Sequence, residues 1–186
     1  MPFVFVPPCN PTTAKTVPAG DAWTHEPKLD GYRLQVLKEG RRARLFSRRG
    51  NEWTARLPDL VDALADIPCR SVIIDAELVR PGAGGVPDFY RMPAAMRRGH
   101  AGELLVYAFD LLHRDGRDLR ALPLIERRRR LERLLARSRV PCLRLVAAFA
   151  DGEQLLSSVD RLRLEGVVSK RKASPYRSGR RGIGAK

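Results

Sequence analysis

The chain has 186 residues, 44% of them hydrophobic, and its 35 Lys and Arg against 21 Asp and Glu give a formal charge of +14. This length fits one domain with a real core, or one domain with a short tail, and no apolar stretch approaches the ~20 residues of a membrane-spanning helix. A pI near 10.8 favours a polyanionic partner, because neutralising phosphates releases condensed counterions; arginine-rich, GC-biased coding is the competing explanation. Cys9, Cys69 and Cys142 are odd in number and widely spaced, without a Cys-x-x-Cys pair. They suit a reduced, cytoplasmic setting, with Cys69 and Cys142 as small core residues. Phe3 to Val6 is followed by prolines and preceded by no basic segment, so no signal peptide is expected.

Residues 1–22, rich in Pro, Thr and Ala, are expected to form an extended lead-in. Trp23 to Lys38 reads as strand, turn, strand, with Gly31 where the backbone must approach a ligand closely. Ala43 to Ser47 is a further strand. Leu57, Leu60, Val61 and Leu64 fall at helical spacing, with Pro58 in the first turn and Pro68 as a stop. Ser71 to Val79 is a buried strand, followed by the glycine-rich loop Pro81–Pro87. Pro87 to Pro93 shows no helical run. Leu104 to Leu112 is a second apolar strand. Leu122 to Arg137 is an amphipathic helix whose Arg127 to Arg130 are expected on a solvated face. Leu143 to Phe149 is a strand, and Asp151 to Leu164 a helix capped by Asp151 with Gln154 in place. Gly166 to Arg171 is the last clear strand. Hairpins and helices without strict βαβ alternation predict an α+β domain over 23–172, with 173–186 as a tail.

Within this frame Lys28-Leu29-Asp30-Gly31-Tyr32-Arg33 carries candidate chemistry. A lysine amine with pKa near 10.4 is neutral in roughly one copy in a few thousand at pH 7, a deficit of about 4–5 kcal/mol. Cations, a metal or burial must therefore activate it. Arg33, Lys170 and Lys186 are candidate cations, and Asp30 shares a strand face with Lys28, placed to orient the amine or help hold a metal. Glu77 ends an apolar strand that delivers a carboxylate to a cleft; Asp75 shares its face and competes for the role. Phe109 is an aromatic in a strand, with Tyr107 on the same face.

Ser47-Arg48-Arg49-Gly50, Asp75-Ala76-Glu77-Leu78, Tyr107-Ala108-Phe109-Asp110 and Glu165-Gly166-Val167-Val168-Ser169-Lys170 follow the hexamer in order. Together they resemble the motifs of ATP-dependent DNA ligases, closest to the adenylation domain of the bacterial end-joining type, from about Trp23 to Lys170. The resemblance implies a nucleotidyltransferase (ATP-grasp-like) fold, with antiparallel sheets flanked by helices and ATP between the sheets. It makes Lys28 the nucleophile that attacks the α-phosphorus of ATP and forms lysyl-AMP. AMP would then pass to the 5′-phosphate of a nick in duplex DNA, to be displaced by the adjoining 3′-hydroxyl. It places Glu26 at the adenine amino group, Arg33 near the ribose and nick phosphate, Arg48 on ribose or DNA, and Phe109 stacked on adenine. Glu77 would meet ribose hydroxyls or metal, Glu165 would ligate magnesium or manganese, and Lys170 would contact phosphate. Glu165 and Lys170 fall on opposite faces of a regular strand, so a bend or strand end must reconcile them.

After Arg180 the family continues with a tryptophan and a lysine pair that grips the α-phosphate. Here Arg181-Gly182-Ile183-Gly184-Ala185-Lys186 follows, with Lys186 as candidate for that role. The expectation is an adenylation domain that stops before the family's oligonucleotide-binding-fold domain, self-adenylates weakly and seals nicks poorly alone. An oligonucleotide-binding-fold protein or repair partner in trans would complete it. The rival readings are an RNA ligase or capping guanylyltransferase, which would prefer GTP, and a non-catalytic DNA-binding remnant.

Overall fold

Ser71–Val79 forms strand β5, and Val72, Ile73, Ile74, Ala76, Leu78 and Val79 are all buried because neighbours cover it on both faces. The computed structural model describes residues 4–82, 87–98, 103–162 and 164–185, so part of the Pro81–Pro87 loop lies outside the described residues. β5 sits between β3 (Tyr32–Glu39) and β6 (Leu105–Arg114), in a sheet ordered β4-β3-β5-β6-β7. β4 is Arg42–Ser47 and β7 Arg117–Asp118, while β8 (Leu143–Leu145) pairs with β6 in parallel. A smaller sheet runs β1-β10-β9-β2, from Cys9–Ala14, Gly179–Ala185, Val167–Arg171 and Trp23–Pro27. Apart from β6·β8 and β1·β10, every pairing is antiparallel, as expected of the α+β reading.

Among the described residues four helices cover these sheets: α1 (Pro58–Ala65), α2 (Met92–Arg98), α3 (Leu124–Ala136) and α4 (Gly152–Arg161). Leu60 and Leu64 of α1, Met92 and Ala95 of α2, and Leu131 and Leu134 of α3 join Leu34, Ile74, Leu78 and Leu111 in one core. Each such leucine contributes roughly 1.5–3 kcal/mol by leaving water. On the other face, Val6 and Tyr176 pack against Leu37, Phe46, Ile73 and Leu112. α4 lays Leu155 and Val159 on Val167 of β9, and Asp151 caps it by accepting from Gln154 N at 2.9 Å.

Several expectations need correction. Pro87 to Pro93 does fold helically, as a 3-10 turn at Phe89–Arg91 that leads into α2. Asp88 caps that turn by accepting from Arg91 N at 3.1 Å, and Pro93 sits in the first turn of α2, where its missing N–H costs nothing. The strand expected over Leu143 to Phe149 ends at Leu145. Beyond it Val146 N reaches Ala108 O at 2.9 Å, while Phe149 exchanges backbone bonds with His25, so this segment crosses from one sheet to the other. Residues 1–22 and 173–186 supply β1 and β10, which pair with each other. The segment before β1 is pinned by Gln35, whose amide exchanges two hydrogen bonds with the Val6 backbone at 2.7 and 2.9 Å.

The arginine run on α3 is not a solvated face. Arg127 is 2% and Arg128 5% exposed, and of the four only Arg129 is fully exposed. Positions 127 and 128 lie at i+3 and i+4 from Leu124 and point inward with Leu131. Arg127 donates to both oxygens of Asp110 on β6 (2.8 and 2.9 Å) and to the carbonyls of Leu122 and Ser174 (2.6 and 3.0 Å). The first turn of α3 is held by the same loop: Leu124 N donates to Ser174 O and Ile125 N to Lys172 O. Arg127→Met strands a buried carboxylate, so it is expected to cost about 3–5 kcal/mol in urea unfolding, whereas Arg129→Met stays within about 0.5 kcal/mol. Equal effects of the two would refute the inward assignment.

Candidate active site

Lys28 to Gly31 is the segment by which the chain leaves β2 in the smaller sheet and enters β3 in the larger one. Its placement follows from the two sheets. Lys28 N donates to Gly166 O at 2.8 Å, beside β9, while Gly31 is pressed against β5. A Cβ on Gly31 would lie 2.3 Å from the Leu78 carbonyl oxygen. A close approach at Gly31 is therefore made to β5, and Gly31 also lines the cavity between the sheets. The two sheets enclose a cavity of about 1190 Å³, above the ~300–1,000 Å³ of ordinary small-molecule clefts. Glu26, Lys28, Asp30, Arg33, Arg48, Glu77, Phe109, Glu165 and Lys170 all line it. Lys186 lies outside the described residues.

Carboxylates surround the Lys28 amine. Glu165 forms an ion pair with it, the two side chains being 35% and 32% exposed. Glu165 precedes β9, and Gly166 takes φ +147°, which releases Glu165 from the alternation of the strand and reconciles it with Lys170. The exposed Asp30 has its carboxyl pKa raised by desolvation and by Glu165, against the pull of Lys28. Glu77 is pushed up to about 8 by burial first; Asp75 and Glu165 add to the rise, and Arg33 and Lys28 oppose it. Asp30, Glu77 and Glu165 thus share little cationic compensation. Oxygen donors in that condition fit a hard divalent cation. Among the described residues no group of three or more His, Cys, Asp or Glu side chains converges to hold a metal unaided.

Elsewhere along the cleft the groups are cationic and aromatic. Glu26 is 3% exposed; its Oε1 accepts from Arg128 at 2.8 Å, and its Oε2 pairs with Lys170. The Lys170 ammonium lies 4.7 Å, and the Arg33 guanidinium 5.2 Å, from the centroid of the Phe109 ring. Phe109 is the extra residue where the β5·β6 register slips between Asp75↔Asp110 and Ala76↔Ala108, and it lines the cavity while Tyr107 does not. Arg33 is not free in the cleft. It holds Asp75 with two parallel bonds (2.9 and 2.6 Å) and donates to Cys9 O at 2.6 Å. Asp75, 1% exposed, also accepts from Tyr176 Oη at 2.7 Å. Asp75 is thereby the clamp for Arg33, leaving Glu77 as the carboxyl of β5 at the cleft. Arg48 stands exposed on the turn after β4.

Sequence reasoning missed Arg127, Arg128, Asp110 and Tyr176. The available signal was spacing: two arginines occupy the inward positions between Leu124 and Leu131. The Glu77 environment has a measurable consequence. The folded chain keeps a proton there that the unfolded chain, with an ordinary value of 4.5, has released, so the associated stability is present in acid and is lost as pH rises through about 8. Glu77→Gln is expected to change stability little near pH 5 and to raise it by about 1–2 kcal/mol near pH 9, after allowing for partial solvent contact. A variant no more stable than the parent at the higher pH would contradict the buried, repelled carboxyl.

Residues 8–184 match the family model described as the ATP dependent DNA ligase domain. The multifunctional non-homologous end joining protein LigD of Pseudomonas aeruginosa is 44% identical over 164 residues, 88% of this chain and 19% of that protein. Its Mycobacterium tuberculosis counterpart is 36% identical over 159 residues, 86% of this chain and 20% of that protein. The crystal structure of the ligase domain of M. tuberculosis LigD superposes with a TM-score of 0.84 at 33% identity, covering 96% of this chain and 59% of that one. A mycobacterial DNA ligase D complexed with ATP and MES gives 0.77 at 32%, covering 95% and 60%. This chain thus spans about a fifth of the two LigD relatives, and the part it spans belongs to the ATP-dependent DNA ligase domain family, as an adenylation domain of the LigD, end-joining type.

Proposed function

We propose that this chain binds ATP in the cleft between its two sheets and forms lysyl-AMP at Lys28, for transfer to the 5′-phosphate of a DNA nick. The observation that carries the reading is the Lys28 amine on the crossing between the sheets, lining the cavity among Glu165, Glu77 and Asp30. In the reaction the Lys28 Nζ–phosphorus bond forms, the bond between the α-phosphorus and its bridging oxygen breaks, and pyrophosphate leaves. The amine must first shed a proton, and Glu165, already in contact with it, is the acceptor in reach. Glu77 and Glu165 are the residues that would hold magnesium, which when bound neutralises charge on the transferring phosphate.

The purine would occupy the cationic and aromatic part of the cleft. Phe109 offers a stacking face, at present covered by cations, and Glu26 offers a carboxylate edge. Lys170, released from Glu26, is the cation available to the phosphates, with Arg48 at the mouth of the cleft for ribose or DNA. Arg33 would lie near the ribose and nick phosphate, as the resemblance implies. Its guanidinium lines the cleft while Asp75 and the Cys9 carbonyl fix its orientation. Nicked duplex DNA is the substrate this reading requires, and the surplus of basic residues supports it.

Intact mass after incubation with ATP and magnesium is the direct test. The parent is expected to gain one AMP that added pyrophosphate removes, and Lys28→Ala is expected to gain none. A folded parent that starts free of AMP and acquires none would overturn the reading. Binding to nicked duplex is expected to weaken steeply with salt and to survive Lys28→Ala within about twofold, since one lysine contributes little to the total of phosphate contacts. A salt-independent interaction would count against DNA as the partner.

A further inference from the structure

We propose that Arg128 is a positioning residue that makes the nucleobase pocket selective for a 6-aminopurine over a 6-oxopurine, acting through Glu26. The proposal rests on the reading of the cleft as an ATP site. Arg128 is not among the residues that line the cavity; it stands behind Glu26, on α3, 5% exposed. Its guanidinium is held on three sides. Nη1 donates to Glu26 Oε1 at 2.8 Å, Nη2 to the Val146 carbonyl at 2.6 Å, and Nε lies 3.1 Å from Glu132 Oε1. A guanidinium so fixed also fixes the carboxylate it grips, because the fork geometry leaves that group little freedom to rotate.

Glu26 Oε2 is then left for the cleft, where Lys170 now meets it beside the Phe109 ring. With Arg128 on Oε1, the Oε2 oxygen of Glu26 is presented to the cleft as a hydrogen-bond acceptor. The exocyclic amino group of adenine can donate to Oε2, either alongside Lys170 or in its place. The 6-oxo group of guanine would set two acceptors face to face at a carboxylate that is 3% exposed, with little water to relieve them. Without Arg128, Glu26 would be free to turn away from the base, and the discrimination would fall. A purely structural arginine would instead weaken the fold, or the binding of both nucleotides, without changing their ratio.

Calorimetric titration of the whole chain with ATP and with GTP, in the presence of magnesium, reads this without requiring the chemical step. The parent is expected to favour ATP by at least about tenfold, Arg128→Met to bring the ratio within about threefold of unity, and Arg128→Lys to fall between them. Lysine keeps the charge but cannot hold Glu26 and Val146 together, so it remains informative if the methionine variant does not fold. A folded Arg128→Met, or failing that Arg128→Lys, with the parent's ratio overturns the Arg128 assignment, as does a parent that binds both nucleotides equally. A parent that binds neither overturns the ATP-site reading, and this proposal with it.

Discussion

The two parallel hydrogen bonds between Arg33 and Asp75 hold the walls of the cleft together. Arg33 belongs to β3 and Asp75 to β5, both in the larger sheet, but neither group stops there. The guanidinium also takes the carbonyl of Cys9, at the start of β1 in the smaller sheet. The carboxylate also accepts from Tyr176, whose hydroxyl in turn accepts from the Cys9 backbone N–H at 3.0 Å. Four side-chain and backbone groups thus close a ring across the two sheets. With Asp75 1% exposed, the ring cannot lose a member cheaply: an uncompensated charge at this depth costs several kcal/mol, so the parts hold or fail together. Arg127 with Asp110 and Arg128 with Glu26 repeat the device, each joining α3 to a different sheet.

This use of arginine changes how the net charge is understood. Arg33, Arg127 and Arg128 are neutralised locally and contribute no field to a partner outside, but each removes one acidic residue with it. The surplus of +14 therefore remains on the rest of the molecule, mostly on exposed arginines such as Arg48, Arg49 and Arg129. Around Lys28 the balance has the opposite sign. Asp30, Glu77 and Glu165 lie about one amine, and at Asp30 and Glu77 desolvation first, then neighbouring carboxylates, raises the carboxyl pKa. A fold selected for stability alone would not gather carboxylates this way. Local rules broken against the grain of the surrounding structure mark the place where a ligand is meant to restore the balance.

What could be seen in the sequence divides along the same physical line. β5 was legible almost to the residue because a run such as Val72-Ile73-Ile74 has no other stable home, and Asp151 was legible as a cap because its partner lies three residues away. The ordered motifs located the residues that line the cleft. Pairing at long range was not legible: β1 contains Pro11 and β10 contains Gly179, Gly182 and Gly184, so local propensity is weak, and pairing of β10 with β1 and β9 makes them strands. The buried arginines were misjudged because residue type outweighed position, although the helical spacing was plain. Tyr107 and Phe109 share a face by alternation, and no local feature announces the register slip that accompanies Phe109 at the cleft.

The ion pairs of the cleft are arranged for an exchange of partners. Lys170 covers Phe109 and pairs with Glu26, so both groups proposed to read the purine are occupied by a cation that is itself proposed to serve the phosphates. Lys28 is likewise held by Glu165, a proposed metal ligand. Lys28 with Glu165 is partly open to solvent, at 32% and 35% exposed, and an ion pair so exposed is weakly held. Lys170 is seated more deeply, on a Glu26 carboxylate that is 4% exposed, so its release needs a replacement donor on that oxygen. Arg33 with Asp75 and Arg127 with Asp110 position strands and helices and have no part in that exchange. The pairs that shape the cleft are thus separate from those that ATP would exchange, so its phosphates, base and metal can replace partners without disturbing the frame.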